Sequence, residues 1–364
     1  MNRILLYHTF SGYGGIENQI VNVVDALEEN YHFFFAKTPN ERLIDELCSH
    51  NVSIIPSWPH SLLSETYHIA SYVRKNKIEI IQVHTFSDAI KIRLVKIFCP
   101  KVKIVYRVHT YIACSWISGF KKKIYYLLDS LTSFAVKFYI VNGEYMMNEF
   151  KKNTFIRRSK LKYMLDGIKE VGEYSKVNSF HSPIRILMIA NVIPHKGHDI
   201  MIKSSSILKR KGYSFKVTVL GDYMRDSQYY ESIRNMIVDL GVEELFDFVG
   251  FDKDISKYLT NSDLVVLPSD SEGTPNCIME GMSMGRIVIC SDTGALREMI
   301  DDGISGYLCK PQDPESFAYV LEKALVMSED KIADMSENGY KKWLSAMSID
   351  AMKSNLLHIY KEIR

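Results

Sequence analysis

Two carboxylates, Glu272 and Glu280, bracket a Gly-Thr-Pro turn in the stretch SDSEGTPNCIMEG at residues 269–281, directly after the apolar run 264–267. That pattern predicts a strand, a tight loop and a helix starting near Asn276, and in an open α/β sheet such a loop is where ligands sit. Glu280 then falls on the first turns of the helix and Glu272 in the loop before it, so both carboxylates can face one crevice. The backbone N–H groups of Gly273 and Thr274 point into the same crevice. Carboxylates suit sugar hydroxyls, and free N–H groups at a helix N-terminus suit phosphate, so the loop reads as a cradle for a nucleotide sugar.

The E-x7-E spacing, with Pro268-Ser269 before it and Gly273-Thr274-Pro275-Asn276 inside it, resembles the retaining glycosyltransferases of the GT-B fold, family 4. The resemblance runs from GGIE at residues 14–17 to DDGISGYL at residues 301–308. It implies an α/β chain of two Rossmann-like domains whose parallel sheets face a central cleft. It also implies a hexose-type sugar moved from a nucleoside diphosphate, UDP before GDP, to a hydroxyl of a growing bacterial surface glycan that is lipid-linked. On the matching positions, Glu272 contacts the donor sugar and Glu280 the ribose hydroxyls. The Gly14-Gly15 loop lies over the sugar diphosphate, and His109 sits beside the sugar as a hydrogen-bond donor. Main-chain groups of Gly250 and Phe251 read the base. The segment ANVIPHKGHD at residues 190–199 resembles the family's KG motif, in which Lys196 contacts the diphosphate. A departing nucleoside diphosphate accumulates negative charge, and a fixed ammonium lowers that barrier without a proton. Asn191 stands where the family usually has arginine, so leaving-group stabilisation rests on Lys196, the Gly273 and Thr274 amides, and a helix end worth roughly half a charge. The mechanism implied is a front-face displacement, with Glu272 as a covalent nucleophile the alternative. Rival functions are a nucleotide-sugar 2-epimerase on the same architecture and a non-catalytic sugar-nucleotide-binding partner.

Other chemistries are argued against. The first glycine loop, HTFSGYGGIE at residues 8–17, has Glu17 where a dinucleotide fingerprint needs a third glycine, and residues 36–38 lack the acidic residue expected after the second strand. No cofactor is expected. Asp252-Lys253-Asp254 has the form of a metal-binding D-x-D but opens a short helix, and capping is the preferred reading, so no metal is expected either. The cysteines at 48, 99, 114, 277, 290 and 309 show no C-x-x-C pair and read as reduced thiols. A net charge of +2 on 364 residues does not suggest a nucleic-acid partner. The apolar run 4–6 is too short for a signal peptide and 131–141 too short for a membrane span, which leads to the expectation of a cytoplasmic enzyme, peripheral at the inner face of the plasma membrane. Residues 120–163 collect Lys121, Lys122, Lys123, Lys151 and Lys152 among aromatics such as Phe120, Tyr125, Tyr126, Phe150 and Phe155. This mixture suits an anionic membrane surface, or else a solvated helix face with its aromatics in the core.

The elements that must position these residues alternate along the chain. Strands are expected at 3–7, 32–36, 78–83, 103–108 and 138–141, with helices at 16–27 and 41–50 between the first of them. This rhythm predicts a doubly wound parallel sheet. It restarts with strands at 184–190, 216–220, 245–249, 263–267 and 287–290, and turns helical after Pro314. The expected division is an acceptor-side domain at 1–169, a linker at 170–183, a nucleotide-sugar domain at 184–345, and a last helix at 346–364 crossing back to the first domain. His84 and His109 both end strands; for His84 a structural and a functional role remain open.

Overall fold

The computed structural model describes residues 2–10, 12–36, 40–55, 61–109 and 118–363. Positions 37 and 38, used above against a dinucleotide site, lie outside the described residues. The chain forms two units, residues 1–167 with 349–364, and residues 168–348.

The first unit holds β1 (Asn2–Tyr7), β2 (Tyr31–Ala36), β3 (Val52–Ile55), β4 (Ile80–Val83), β5 (Lys103–Val108), β6 (Val136–Val141) and β7 (Leu161–Tyr163). They make one parallel sheet in the order β3-β2-β1-β4-β5-β6-β7. Along β1, Leu5 and Tyr7 enter one apolar core while Ile4 and Leu6 enter the other. Both faces are therefore covered, which is why the strand reads as a continuous apolar run rather than an alternating one. The helix Ile349–Lys361 puts Met352, Leu356, Ile359 and Tyr360, one stripe of its surface, into the same core as Ile20, Val23 and Val24 of the helix Gly15–Leu27.

The second unit holds β8 (Ile184–Ile189), β9 (Phe215–Leu220), β10 (Phe246–Gly250), β11 (Leu264–Leu267), β12 (Ile287–Ser291) and β13 (Tyr307–Cys309), parallel in the order β10-β9-β8-β11-β12-β13. The two sheets share one topology. In each the order reverses once, beside the unit's first strand, and such a switch point opens a crevice at the carboxyl ends of the two strands that flank it.

Two differences from expectation have physical reasons. The short strands β3, β7 and β13 escape sequence reading because three or four residues carry too little period. The polar stretch 170–183, expected as a linker, belongs to the second unit. Its Val177 N–H donates to Ser336 Oγ at 3.0 Å, Lys176 pairs with Glu337 at 2.8 Å, and Arg286 donates to the Ser175 carbonyl. Polar composition there reflects partners in the second unit rather than solvent.

Candidate active site

In the second unit the switch point lies between β8 and β11, and the loops that follow those strands carry Lys196 and Glu272. Gly197, at φ 75°, ends the first loop, and a Cβ there would stand 1.9 Å from the Pro268 carbonyl oxygen. On the other side, Gly294, at φ 55°, leaves room for the Glu272 carbonyl oxygen, which a Cβ would approach to 1.8 Å. Only glycine permits either contact. The Asp270 N–H donates to the His195 carbonyl at 3.0 Å, and the Thr293 hydroxyl donates to the Asp270 carbonyl at 3.1 Å. The loop is thus held by backbone from two sides. Its outcome is a direct pair, Lys196 Nζ to Glu272 Oε1 at 2.7 Å.

Electrostatics at the pair favour a fixed cation. Burial works against the Lys196 charge, but the Glu272 charge and hydrogen bond outweigh it, and the ammonium pKa ends above its ordinary value. Burial and the neighbouring Lys196 charge hold His195 below the usual histidine range. Glu280, on the helix Asn276–Ser283, is half-buried and its carboxylate makes no hydrogen bond or ion pair among the described residues. Burial pushes its pKa up to about 7. Cys277, one turn earlier, is buried; burial first, then the Glu280 and Glu272 charges, push its thiol up, so it is an inert thiol within electrostatic reach of both glutamates.

The remaining expected donor residues of this unit lie at or just after the carboxyl ends of its strands. Gly273 and Thr274 are half-buried, Pro275 is buried and precedes the helix, and Asn276 is its first residue. Asn191 is engaged structurally: its Oδ1 accepts the Asp222 N–H at 2.9 Å, fixing the loop after β9. Gly250, at φ 77°, ends β10, and its carbonyl accepts the Gly221 N–H at 2.9 Å. Phe251 beside it is 58% exposed. Asp252 accepts the Asp254 N–H at 2.9 Å and pairs with Lys257 at 2.5 Å, so the D-x-D carboxylates hold a turn. The expected helix cap is corrected in detail, because the N-cap of the short helix Ser256–Thr260 is Ile255, which gives no side-chain cap.

In the first unit the switch point lies between β1 and β4. His8, after β1, is buried with Nε2 2.7 Å from Glu17 Oε1 and Nδ1 3.7 Å from Asp88 Oδ2. Gly14 caps the helix that carries Glu17, and open space surrounds the Gly15 position, so nothing in the protein itself requires glycine there. His84 and His109 stack at 5.2 Å, with His84 Nδ1 3.0 Å from His109 Nε2. The Tyr360 hydroxyl donates to Gln82 Oε1, and Gln82 Nε2 is 2.9 Å from His84 Nε2. His109 Nδ1 lies 3.1 Å from Asn142 Nδ2 and 3.4 Å from Asp166 Oδ2, and Asp166 is held by Arg107 and Asn142. Burial, then the His109 and Arg107 charges, keeps His84 well below the usual range and hence neutral. Both nitrogens of His109 are therefore occupied inside the unit. A sugar that takes an N–H from His109, as the resemblance implies, would have to displace one of these partners.

Sequence reasoning joined Lys196, Glu272 and Glu280 and missed Gly294, His8 and Asp166. His8 shares the strand-end position that singled out His84 and His109 and could have been found by it. Gly294 and Asp166 carry no local signal.

Two parallel Rossmann-like sheets with ligand-type loops at their switch points define the GT-B class of fold. Residues 173–342, which lie within the second unit, match the family described as glycosyl transferases group 1. The chain is 32% identical over 152 residues to the amylovoran biosynthesis glycosyltransferase AmsK of Erwinia amylovora, a stretch covering 40% of this chain and 36% of that protein. This and two further curated relatives are matched over 36%, 44% and 48% of their lengths, so the chain spans less than half of each. Across whole chains, the crystal structure of a glycosyltransferase from Rickettsia africae superposes with a TM-score of 0.86 at 20% identity, covering 100% of this chain and 98% of that one. The Anabaena HepE structure in complex with UDP and glucose superposes with a TM-score of 0.83 at 16% identity, covering 100% of both.

Proposed function

We propose that the chain is a retaining glycosyltransferase that moves a hexose-type sugar from a nucleoside diphosphate, UDP before GDP, to a hydroxyl of a growing bacterial surface glycan. The observation that carries the reading is the Lys196–Glu272 pair at the second unit's switch point, with the Glu280 carboxylate on the helix that follows unpartnered among the described residues. The unpartnered carboxylate suits a diol such as ribose, which would supply the hydrogen bonds that the protein does not. Lys196 meets the charge that grows on the departing diphosphate, and Glu272 orients both the ammonium and the sugar. Gly273, Thr274, Pro275 and Asn276 present the helix N-terminus to the phosphates. The leaving diphosphate oxygen takes the acceptor proton, so no side-chain base is needed.

Neither a metal nor a cofactor enters this reading, because the D-x-D carboxylates are spent on a turn and on Lys257. UDP in the HepE complex supports the donor class, and the biosynthetic role named for AmsK supports a polysaccharide product. The acceptor is a lipid-linked glycan at the cytoplasmic membrane face. Incubation with radiolabelled UDP- and GDP-sugars and lipid-linked acceptors, with and without EDTA, tests the proposal. Transfer with retained anomeric configuration in EDTA is expected. A UDP-sugar epimerised with no acceptor present, or binding without turnover, would replace it.

A further inference from the structure

The helix Gly119–Thr132, in the first unit, is amphipathic in the inverted sense. Its buried residues are Tyr126 and Asp129, and Asp129 spends its charge on Arg93 beneath it. Phe120, Ile124, Leu127, Leu128 and Leu131 are all exposed, with Phe120 at 76%, Leu127 at 52% and Leu131 at 64%. With 3.6 residues per turn these five fall within about 100° of arc, a single stripe pointing away from the core. Phe134, just past the helix, is 79% exposed, and Phe155, whose N–H donates to Ser130 Oγ at 3.1 Å, is 90% exposed beside the helix's second half. The apolar surface is therefore continuous rather than scattered. Other aromatics of the region play a different part: Tyr126 and Phe150 are buried, and Tyr125 stacks on Phe86 at 4.2 Å.

Charge decides what covers the stripe. Lys121 and Lys123 stand on its two sides, and with Lys151, Lys152, Arg157 and Arg158 they are exposed and make no ion pair among the described residues. A second copy docked by a two-fold axis would bring these cations against their own equivalents. An anionic bilayer surface meets both demands, because acyl chains accept the stripe while lysine stems reach outward to lipid phosphates. No helix among the described residues is long and apolar enough to cross a membrane, so the contact is one of lying on the surface.

We infer that the helix Gly119–Thr132, with Phe134 and Phe155, is an interfacial anchor that lies in the headgroup layer of an anionic membrane. It narrows the acceptor class proposed above to glycans presented at such a surface, and in that respect rests on that reading. Co-sedimentation with vesicles of 7:3 phosphatidylcholine and phosphatidylglycerol tests it, with pure phosphatidylcholine as the comparison. The wild type is expected to bind the anionic vesicles and to lose binding as salt rises. Leu127→Ser with Leu131→Ser should weaken binding at least tenfold, and Phe155→Ser alone should weaken it measurably if the first pair fails to fold. Lys121→Ala with Lys123→Ala should reduce both the binding and its salt dependence. Thermal stabilisation by UDP should be unchanged in every folded variant. Absence of wild-type binding, or binding indifferent to the stripe, would overturn the anchor, as would a solution dimer that Leu131→Ser dissociates. Loss of the UDP response in the wild type would instead overturn the donor site and leave the anchor standing.

Discussion

The two units share one strand order and use their switch points in opposite ways. Around the first unit's strand ends, His84, His109, Asn142, Asp166 and Arg107 are linked by hydrogen bonds, although Arg107 Nε and Nη1 find no acceptor among the described residues, and His8 rests against Glu17. Around the second unit's, glycine and backbone clamp a loop, one lysine–glutamate pair is preset, and the Glu280 carboxylate has no partner among the described residues. Hydrogen bonds that link buried polar groups into one network add rigidity. A half-buried carboxylate without partners costs folding energy, and proteins keep such costs where a ligand repays them. On the proposed reading, donor chemistry belongs to the second unit and a positioning role to the first.

The comparison is most exposed at Lys196. Lys196→Ala should reduce turnover about 100-fold, on the scale of about 2.7 kcal/mol found when one charge-stabilising group is lost from a transition state. Nucleotide binding should fall less than turnover, since the charge that Lys196 meets grows during reaction. A folded Lys196→Ala protein with full activity would end the role.

The clamp comes next. Gly294→Ala places a methyl 1.8 Å from the Glu272 carbonyl oxygen at a positive φ, so the loop must move. Overpacking and the left-handed backbone together put the cost at about 3 kcal/mol, and Glu272 should lose its place beside Lys196. Calorimetry should show a lower melting temperature and a weakened UDP response. Gly15→Ala, where open space surrounds the position, should leave stability unchanged. Equal losses from the two substitutions would erase the contrast between the units.

Much of this was legible in sequence, and the boundary is instructive. Lys196, Glu272 and Glu280 sit within short segments whose residue types and spacing carry the chemistry. The clamp by Gly294 is not legible, because it depends on a loop from another strand meeting Glu272 in space. The engagement of His109 is likewise non-local, relying on Asp166 and Asn142, while Tyr360 reaches the network from the last helix. Periodicity marks an apolar stripe on both Gly119–Thr132 and Ile349–Lys361. It does not tell which stripe faces inward: in the last helix it packs on the core, and in the earlier one it faces out. Topology came through because β1, β4, β8 and β11, buried on both faces, are near-continuous apolar runs.

A smaller effect is expected from pH. Burial raises the Glu280 pKa to about 7, so the folded chain holds a proton there that the unfolded chain has already released. Stability therefore falls as pH rises from the ordinary carboxylate range through about 7, and Glu280→Gln should melt higher than the wild type at pH 8 while matching it at pH 4. Ligand hydroxyls need the ionised form, so UDP affinity should drop about tenfold per pH unit below 7 in the wild type. In Glu280→Gln that slope should shrink to whatever the UDP phosphate itself contributes. Identical slopes in both proteins would show that Glu280 does not face the nucleotide.

The smallest effect on donor binding is expected at His109. Its Nε2 meets His84 and its Nδ1 meets Asn142 and Asp166, so His109→Ala removes a link from a buried network and leaves those partners unsatisfied. Each buried polar group so stranded costs about 1 to 3 kcal/mol, which should appear as a lower melting temperature. UDP affinity should stay within about twofold, because the residues proposed to hold the nucleotide belong to the other unit and are not among the hydrogen-bond partners of His109, and sites without shared partners contribute independently. His109→Asn, which can restore one hydrogen bond, should recover part of the lost stability. The opposite pattern, stability unchanged and turnover lost in His109→Asn, would mean that the ring gives an N–H to the sugar after all. The first unit would then hold a reacting group, and the division of labour between the two switch points would have to be redrawn.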